Sequence, residues 1–331
     1  MKDDGTTLIT GATGFLGPHL VWEAAAHGPV VAVDRRAPDE TMRAFLARDP
    51  ARAVRVTWRE ADVTDYATFS RTTGTTDGEA ITRVIHAAAI TPDAAMEAAG
   101  MRQTIGVNVL GTANALDLAR ALGVRRTVVF SSSSVYAAND GSPLTEDSPW
   151  RDTSAYAVSK QSIERLMAHA VHGFGMDVVA VRPAALFGPL ERPTGAREAM
   201  SGIYSLMHAA CAGEEIRVHD DGLSRDLTAA SEVARAIVAL LHAPSLTHRI
   251  YNLGAGRGYT LPEILNALRI AVPDLRWQSV PPDESTVGFG IGVRRGPLDM
   301  TRFRYDLGFG LNDDLAAHLI AYRDWLRDHP Y

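Results

Sequence analysis

Short apolar runs alternate with longer amphipathic stretches through the first half of the chain. "TLIT" (7–10) is the first strand-like run, and a glycine-rich turn and an Ala-rich helical stretch follow it through His27. "VVAVD" (30–34) is the second, "RAVRVTWREADV" (52–63) contains a third and "RVIHAAA" (83–89) is a fourth. A helical run from about 102 to 122 leads into "RTVVFSSSS" (126–134), and a helix from about Ser154 to Gly173 leads into "DVVAVRP" (177–183). Continuous apolar strands separated by helices are buried on both faces, which predicts a parallel sheet covered on each side. The expected fold class is α/β, a doubly wound parallel sheet of the Rossmann kind with a smaller mixed C-terminal lobe. Its ligands should sit at the carboxyl ends of the strands.

The second half is less regular. Helices are expected near 198–212, 231–242, 261–271 and 313–328, a strand at "RIYNLG" (249–254), and a Pro/Gly-rich stretch at 281–297. The expected division gives residues 1–181 and about 226–251 to nucleotide binding. Residues about 182–225 and 252–331 then form a substrate lobe closing over it.

Composition narrows the class. The chain has 331 residues, 46% of them hydrophobic and 22% charged, enough for one large domain or two smaller ones. A net charge of −6 argues against general nucleic-acid binding. No run approaches the roughly 18 apolar residues of a membrane span, and no apolar core follows the N-terminus as in a signal peptide. A cytoplasmic protein is expected. The single cysteine, Cys211, excludes an internal disulfide and has no metal-ligand spacing around it; a buried structural thiol in a reducing compartment is expected, and no metal site.

The glycine-rich turn carries the first chemistry. Gly11, Gly14 and Gly17 in "TGATGFLG" (10–17) follow a strand and open a helix. Such glycines allow a tight turn, close approach to a pyrophosphate and close helix–sheet packing, and the helix N-terminus attracts the anion. Asp34 ends the second strand, 23 residues after Gly11. A carboxylate there accepts the ribose hydroxyls of an adenosine and repels a 2′-phosphate, which favours NAD over NADP. Arg35 and Arg36 beside it are of the type that stacks on adenine or holds a 2′-phosphate. Asp62 ends another strand, either to bond the adenine amine or to close the turn.

The second chemistry is a tyrosine–lysine pair. The chain has 31 arginines and two lysines, Lys2 and Lys160. Lys160 follows Tyr156 by four residues on a predicted helix, so the two share a face. A tyrosine with an ordinary pKa of about 10 is a poor base at neutral pH, and a nearby ammonium favours its ionised form. Arginine, bulkier and planar, is not equivalent. The serine run 131–134 ends the fifth strand and faces the same crevice. Its hydroxyls either bond a substrate oxygen or simply form the turn.

Together these residues resemble the extended short-chain dehydrogenase/reductase family, in its epimerase/dehydratase branch. The likeness spans "TGATGFLG", Asp34, "DVTD", "HAAA" (86–89), "NVLGT" (108–112), "SSSSVY" (131–136), "YAVSK" (156–160), "RPAALFGP" (182–189), "SRDL" (224–227) and "YNLGAG" (251–256). The resemblance implies catalysis by Ser132, Tyr156 and Lys160, with general-base help worth about 10²–10⁴-fold. It implies NAD contacts from Gly11, Thr13, Gly14, Phe15, Leu16, Gly17, Asp34, Arg35, Asp62, Val63, Ala87, Ala88, Ala89, Pro183, Tyr156 and Lys160. Asn108 would support the cofactor side of the site. Thr91, Ser133, Ala185, Arg225 and Arg294 would meet a sugar-like substrate. It also implies a homodimer built through two helices, read as about 104–122 and 154–173.

The chain departs from the branch in places. Dehydratases carry Asp-Glu where Ser133 and Ser134 stand, so water elimination is not expected. Ala185 replaces an asparagine that contacts a diphosphate in nucleotide-sugar epimerases, and "RDLTAASE" (225–232) loses aromatic and acidic members of its motif. Arg225 remains, to hold a phosphate or carboxylate or to pair with Asp226 or Asp221. The stretch 287–302 is placed to close over a substrate, with Arg294 and Arg295 as anion ligands or solvated surface charges. The expected activity is hydride transfer between NAD and a secondary alcohol of a sugar or sugar-derived substrate. Two outcomes remain open, net dehydrogenation and 4-epimerisation of a nucleotide sugar. A non-catalytic NAD-sensing or scaffold protein is the alternative of another class, and the serine–tyrosine–lysine set argues against it.

Overall fold

The computed structural model describes residues 5–73, 80–151, 154–288 and 294–330. Lys2 and residues 289–293 of the expected closing stretch 287–302 lie outside the described residues. Seven strands form one parallel sheet: β1 (Thr6–Thr10), β2 (Val30–Asp34), β3 (Val56–Glu60), β4 (Ile81–His86), β5 (Arg126–Phe130), β6 (Val178–Pro183) and, after three short strands elsewhere, β10 (Ile250–Leu253). The short strands are β7 (Ala185–Phe187), β8 (Glu215–Val218) and β9 (Leu227–Ala229), and β11 (Arg276–Ser279) comes last. The large sheet runs β10-β6-β5-β4-β1-β2-β3. Its order reverses between β1 and β4, where Thr10 pairs in register with His86. A crevice opens at that switch point, at the carboxyl ends of the strands.

Helices cover both faces, as the continuous burial of the strands demands. On one face α1 (Gly17–Ala24) packs beside α10 (Ala230–His242), and Leu20, Val21, Ile237 and Leu241 close over Ile9, Ile85, Val128 and Val181. The other face takes α7 (Gly111–Leu122) and α8 (Ala155–Phe174), through Ala115, Leu118, Ile163 and Met167. Between these in the chain lie α2 (Glu40–Ala47), α3 (Pro50–Ala53), α4 (Tyr66–Thr73) and α5 (Ala94–Ala99), short elements the apolar pattern did not reveal, and α6 (Arg102–Ile105).

The expected helix at 102–122 is two α-helices joined by a π-turn at Gly106–Leu110. Insertions of this kind re-aim a side chain inside a helix, and here the side chain is Asn108, fully buried. The expected strands at 83–89 and 126–134 are shorter, ending at His86 and Phe130. Their last residues, the alanines and serines, leave the ladder and line the crevice.

A second apolar cluster gathers α9 (Gly202–Cys211), α11 (Leu261–Ala271) and α13 (Leu315–Asp328) around Leu206, Ile216, Leu265 and Leu319, with α12 (Thr301–Leu307) nearer the large sheet. Here β8 pairs with β11, and β7 with β9. Since β10 joins the large sheet beside β6, the expected boundary at about 251 runs through a sheet strand. Cys211 is a correction: it is exposed, not buried. It is the last residue of α9, whose inner stripe is Ile203, Leu206, Met207 and Ala210.

One buried polar network ties the halves together. Arg182 on β6, 1% exposed, makes two hydrogen bonds to the Glu164 carboxylate of α8, at 2.7 and 2.6 Å. It also donates to the Tyr136 hydroxyl and the Glu146 carbonyl, each at 2.8 Å. Tyr136 donates in turn to Asn252 of β10 at 2.5 Å. Ser131 donates to Glu164 at 2.5 Å, so the network reaches the first residue of the serine run.

Candidate active site

The glycine loop sits at the switch point. Gly11 has φ +71°, which favours glycine, and a Cβ there would lie 2.6 Å from the Ala88 backbone nitrogen. A Cβ on Gly17 would lie 2.3 Å from the Gly11 carbonyl oxygen. Only a bare backbone lets this loop lie against β4 and α1 at once. The Asp34 carboxylate accepts from the backbone N–H of Thr13 at 3.0 Å and of Arg35 at 2.7 Å, which ties the end of β2 to the loop. Asp62 accepts from the backbone N–H and hydroxyl of Thr64, at 2.8 and 2.7 Å, so it does close a turn while facing the groove.

Two adjoining cavities share Gly11, Gly14, Ala87 and Ala89. The smaller, about 300 Å³, is lined by Thr13, Asp34, Arg35, Asp62, Val63 and Ala88. The larger, about 690 Å³, is lined by Phe15, Leu16, Gly17, Thr91, Ser132, Ser133, Tyr156, Lys160, Pro183, Ala185 and Arg225. A Cβ-free cradle, an acid at the end of β2 and a continuous groove past β4 are what a dinucleotide requires. The residues present fit NAD.

Several contacts hold Tyr156 and Lys160. Ser154 caps α8 by accepting from the Ala157 N–H at 3.1 Å. The Glu97 carboxylate of α5 accepts from the N–H groups of Ala155 and Tyr156, both at 3.1 Å, at the positive end of the helix dipole. Ser159 donates to the Tyr156 carbonyl at 2.7 Å, and Asn108 donates to Ser159 at 3.0 Å. Asn108 also exchanges hydrogen bonds with the backbone of Ile90, at 2.7 and 3.0 Å. It lines neither cavity, and it braces α8 against the loop after β4. Lys160 is 2% exposed; its ammonium donates to the Phe130 carbonyl at 2.9 Å and lies 5.4 Å from the centre of the Tyr156 ring. Burial pushes its pKa below the ordinary lysine value.

His86 lies behind the pair. It shares a 2.7 Å hydrogen bond with the Thr10 hydroxyl through Nδ1. Burial first, and the Lys160 charge second, push its pKa down to about 3, so the ring is neutral at physiological pH. Ser132 accepts from the Ser134 N–H at 3.1 Å, capping a single 3₁₀ turn, Ser133–Val135, whose backbone carries the serines into the larger cavity.

Other expectations sort by contact. Arg225 lines the cavity, but Asp221 neutralises it, and Asp226 instead accepts from the Ala255 and Leu298 N–H groups. Arg294 is a correction: it is exposed and packs at Gly141, outside both cavities. Its neighbour Arg295 turns the other way, as successive side chains of a non-helical segment do, and lines the larger cavity.

Sequence reasoning missed Arg151 and Arg197, which also line it, and the segment 189–201 that crosses the groove. That segment is tied down by an Arg192–Asp39 ion pair, by Arg36 donating to the Thr194 carbonyl at 2.8 Å, and by the Thr91 N–H donating to Ala196 at 2.8 Å. The density of charge in "LERPTGARE" was the one available signal. Among the described residues no group of His, Cys, Asp and Glu is placed to hold a metal, and no helix is long and apolar enough to cross a membrane.

Comparison with known proteins agrees with this geometry. A family model described as the NAD dependent epimerase/dehydratase family matches residues 7–254. A dTDP-glucose 4,6-dehydratase of Streptomyces griseus is 30% identical over 68% of this chain and 66% of its own length. A UDP-glucuronate 4-epimerase of Thermodesulfobacterium geofontis is 29% identical over 76% of each. Among solved structures, MoeE5 in complex with UDP-glucuronic acid and NAD superposes with a TM-score of 0.76 at 29% identity, over 98% of this chain and 99% of that one.

Proposed function

The chain belongs to the NAD dependent epimerase/dehydratase family, and from that membership we propose that it is a nucleotide-sugar 4-epimerase. Its relatives include a UDP-glucuronate 4-epimerase, and a similar structure holds a UDP-sugar with NAD. One observation carries the reading: the buried Lys160, fixed on the Phe130 carbonyl, shares a cavity with Tyr156, Ser132 and the glycine loop.

When bound, NAD supplies the hydride acceptor and donor. The chain's own residues handle the proton and the orientation. Tyr156 takes the proton of the reacting hydroxyl and returns it when the alcohol re-forms. Ser132 bonds the same oxygen. Lys160 provides fixed positive charge that supports negative charge developing on the phenol oxygen. His86, neutral and buried, adds no competing positive charge. The lobe of about 182–225 and 252–331 supplies the sugar side of the cavity, through Ala185 and Arg225.

A reaction with no net redox change is favoured by the segment 189–201. Its ties span the groove on the cofactor side, which suits a retained rather than an exchanging dinucleotide. Ser133 and Ser134, where an acid–base pair would be needed, disfavour water elimination. We further assign a homodimer to the two helical runs of about 104–122 and 154–173, where Leu110 at the end of the π-turn and Val158 on α8 leave apolar surface exposed.

The test is to supply UDP-glucose and UDP-glucuronic acid to the purified protein and separate the products. A 4-epimer formed without accumulating reduced nicotinamide is the expected result. Steady formation of reduced nicotinamide would make it a net dehydrogenase. Binding of NAD without conversion of any sugar would favour the non-catalytic alternative.

A further inference from the structure

Four arginines line the larger cavity: Arg151, Arg197, Arg225 and Arg295. Two are compensated within the protein. Arg197 pairs with the fully buried Glu191 at 2.8 Å, and Arg225 pairs with Asp221. The other two are not. Among the described residues, Arg151 and Arg295 have no carboxylate at ion-pair distance. Arg295 makes one 3.3 Å hydrogen bond, from Nη1 to the Ser133 carbonyl. The Nε of Arg151 is buried without a partner. Burial and the charge of Arg151 both push Arg295 below the ordinary arginine range. Two like charges held together and partly desolvated are costly unless something supplies the counter-charge.

Their position says where that counter-charge belongs. Arg295 is anchored on Ser133, and the backbone of Arg151 donates to the Val135 carbonyl at 2.7 Å. Both residues therefore border the 3₁₀ turn that Ser132 caps, at the reacting end of the cavity.

We infer that Arg151 and Arg295 form a carboxylate-recognition site for the sugar ring, so that the preferred substrate is a nucleotide-linked hexuronate, with its carboxylate on the ring carbon next to the reacting one. The inference rests on the nucleotide-sugar reading above and selects within it. Arginine suits this role because its planar fork matches a carboxylate in bidentate fashion.

The experiment compares UDP-glucuronic acid with UDP-glucose on the intact NAD-bound protein, in wild type, Arg295→Gln and Arg151→Gln. Binding to a Tyr156→Phe background, measured by calorimetry, separates recognition from turnover. Wild type should prefer the uronate in kcat/KM, and each arginine variant should reduce the uronate-to-hexose ratio by about 10- to 100-fold, the range of a lost charge-assisted bond. Thermal unfolding of each variant shows that a change in the ratio is not misfolding. An equal loss for both sugars would assign the arginines to the diphosphate and overturn the inference, as would the absence of any uronate preference in wild type. Failure of either nucleotide sugar to bind would instead bring down the nucleotide-sugar reading itself, and this inference with it.

Discussion

The Lys160 ammonium donates a hydrogen bond to the carbonyl of Phe130, the last residue of β5, at 2.9 Å. The contact pins the second turn of α8 to the end of a central strand. It holds the only described lysine, 2% exposed, beside Tyr156.

Lys160→Arg should therefore abolish most turnover although it preserves charge. The compact ammonium is 2% exposed and bonded to the Phe130 carbonyl beside the tyrosine, and a bulkier planar guanidinium does not reproduce that geometry. We expect kcat to fall at least about 100-fold, the lower end of general acid–base contributions. Steady-state kinetics and NAD titration check this; near-normal values for both would refute the assignment.

Tyr156→Phe removes the proton-transfer group and leaves the helix packing intact. Turnover should drop by about 10²–10⁴-fold, with NAD binding largely retained. Nicotinamide fluorescence measures the second quantity independently of the first.

Glu97 acts on the site through the helix. Its carboxylate accepts from the first two N–H groups of α8, so Glu97→Ala should cost about 1 kcal/mol of stability, as a lost cap does. Because Tyr156 carries one of those N–H groups, kcat should fall more than KM rises. Urea unfolding and kinetics on the same preparation separate the two effects.

The Arg182–Glu164 pair is nearly inaccessible to solvent. Removing one partner, as in Glu164→Gln, leaves an uncompensated buried charge and should cost about 3–5 kcal/mol. Arg182→Met with Glu164→Leu should cost much less than the sum of the single changes. A double-mutant cycle in chemical denaturation provides the measurement.

His86 and His19 make stability depend on pH. Burial holds their pKa values at about 3 and about 4, against an ordinary 6.5 in the unfolded chain. The unfolded state binds more protons across that window. Stability is fully present above about pH 6.5 and is lost as pH falls towards the folded values. For His86 the loss between pH 7.5 and 5 should reach about 2 kcal/mol at most. His86→Gln should flatten the dependence, as urea midpoints at the two pH values would show.

The layered α/β plan, the glycine loop and the tyrosine–lysine pair were legible along the chain. Each depends on residues close together in the chain: alternating apolar runs, the 3-residue spacing of Gly11, Gly14 and Gly17, and an i, i+4 pair on one helix. Packing set which cavity arginines meet a carboxylate of the protein and which, among the described residues, do not. Asp221 neutralises Arg225, Glu191 takes Arg197, and Arg295 rather than Arg294 turns inward. It also brought Glu97 onto the first turn of α8 and Asn108 behind Tyr156. The physical reason is distance along the chain. Glu97 and Tyr156 are 59 residues apart, and no local pattern records that their segments meet. Electrostatic compensation depends on where side chains converge in space, which only the packed structure sets.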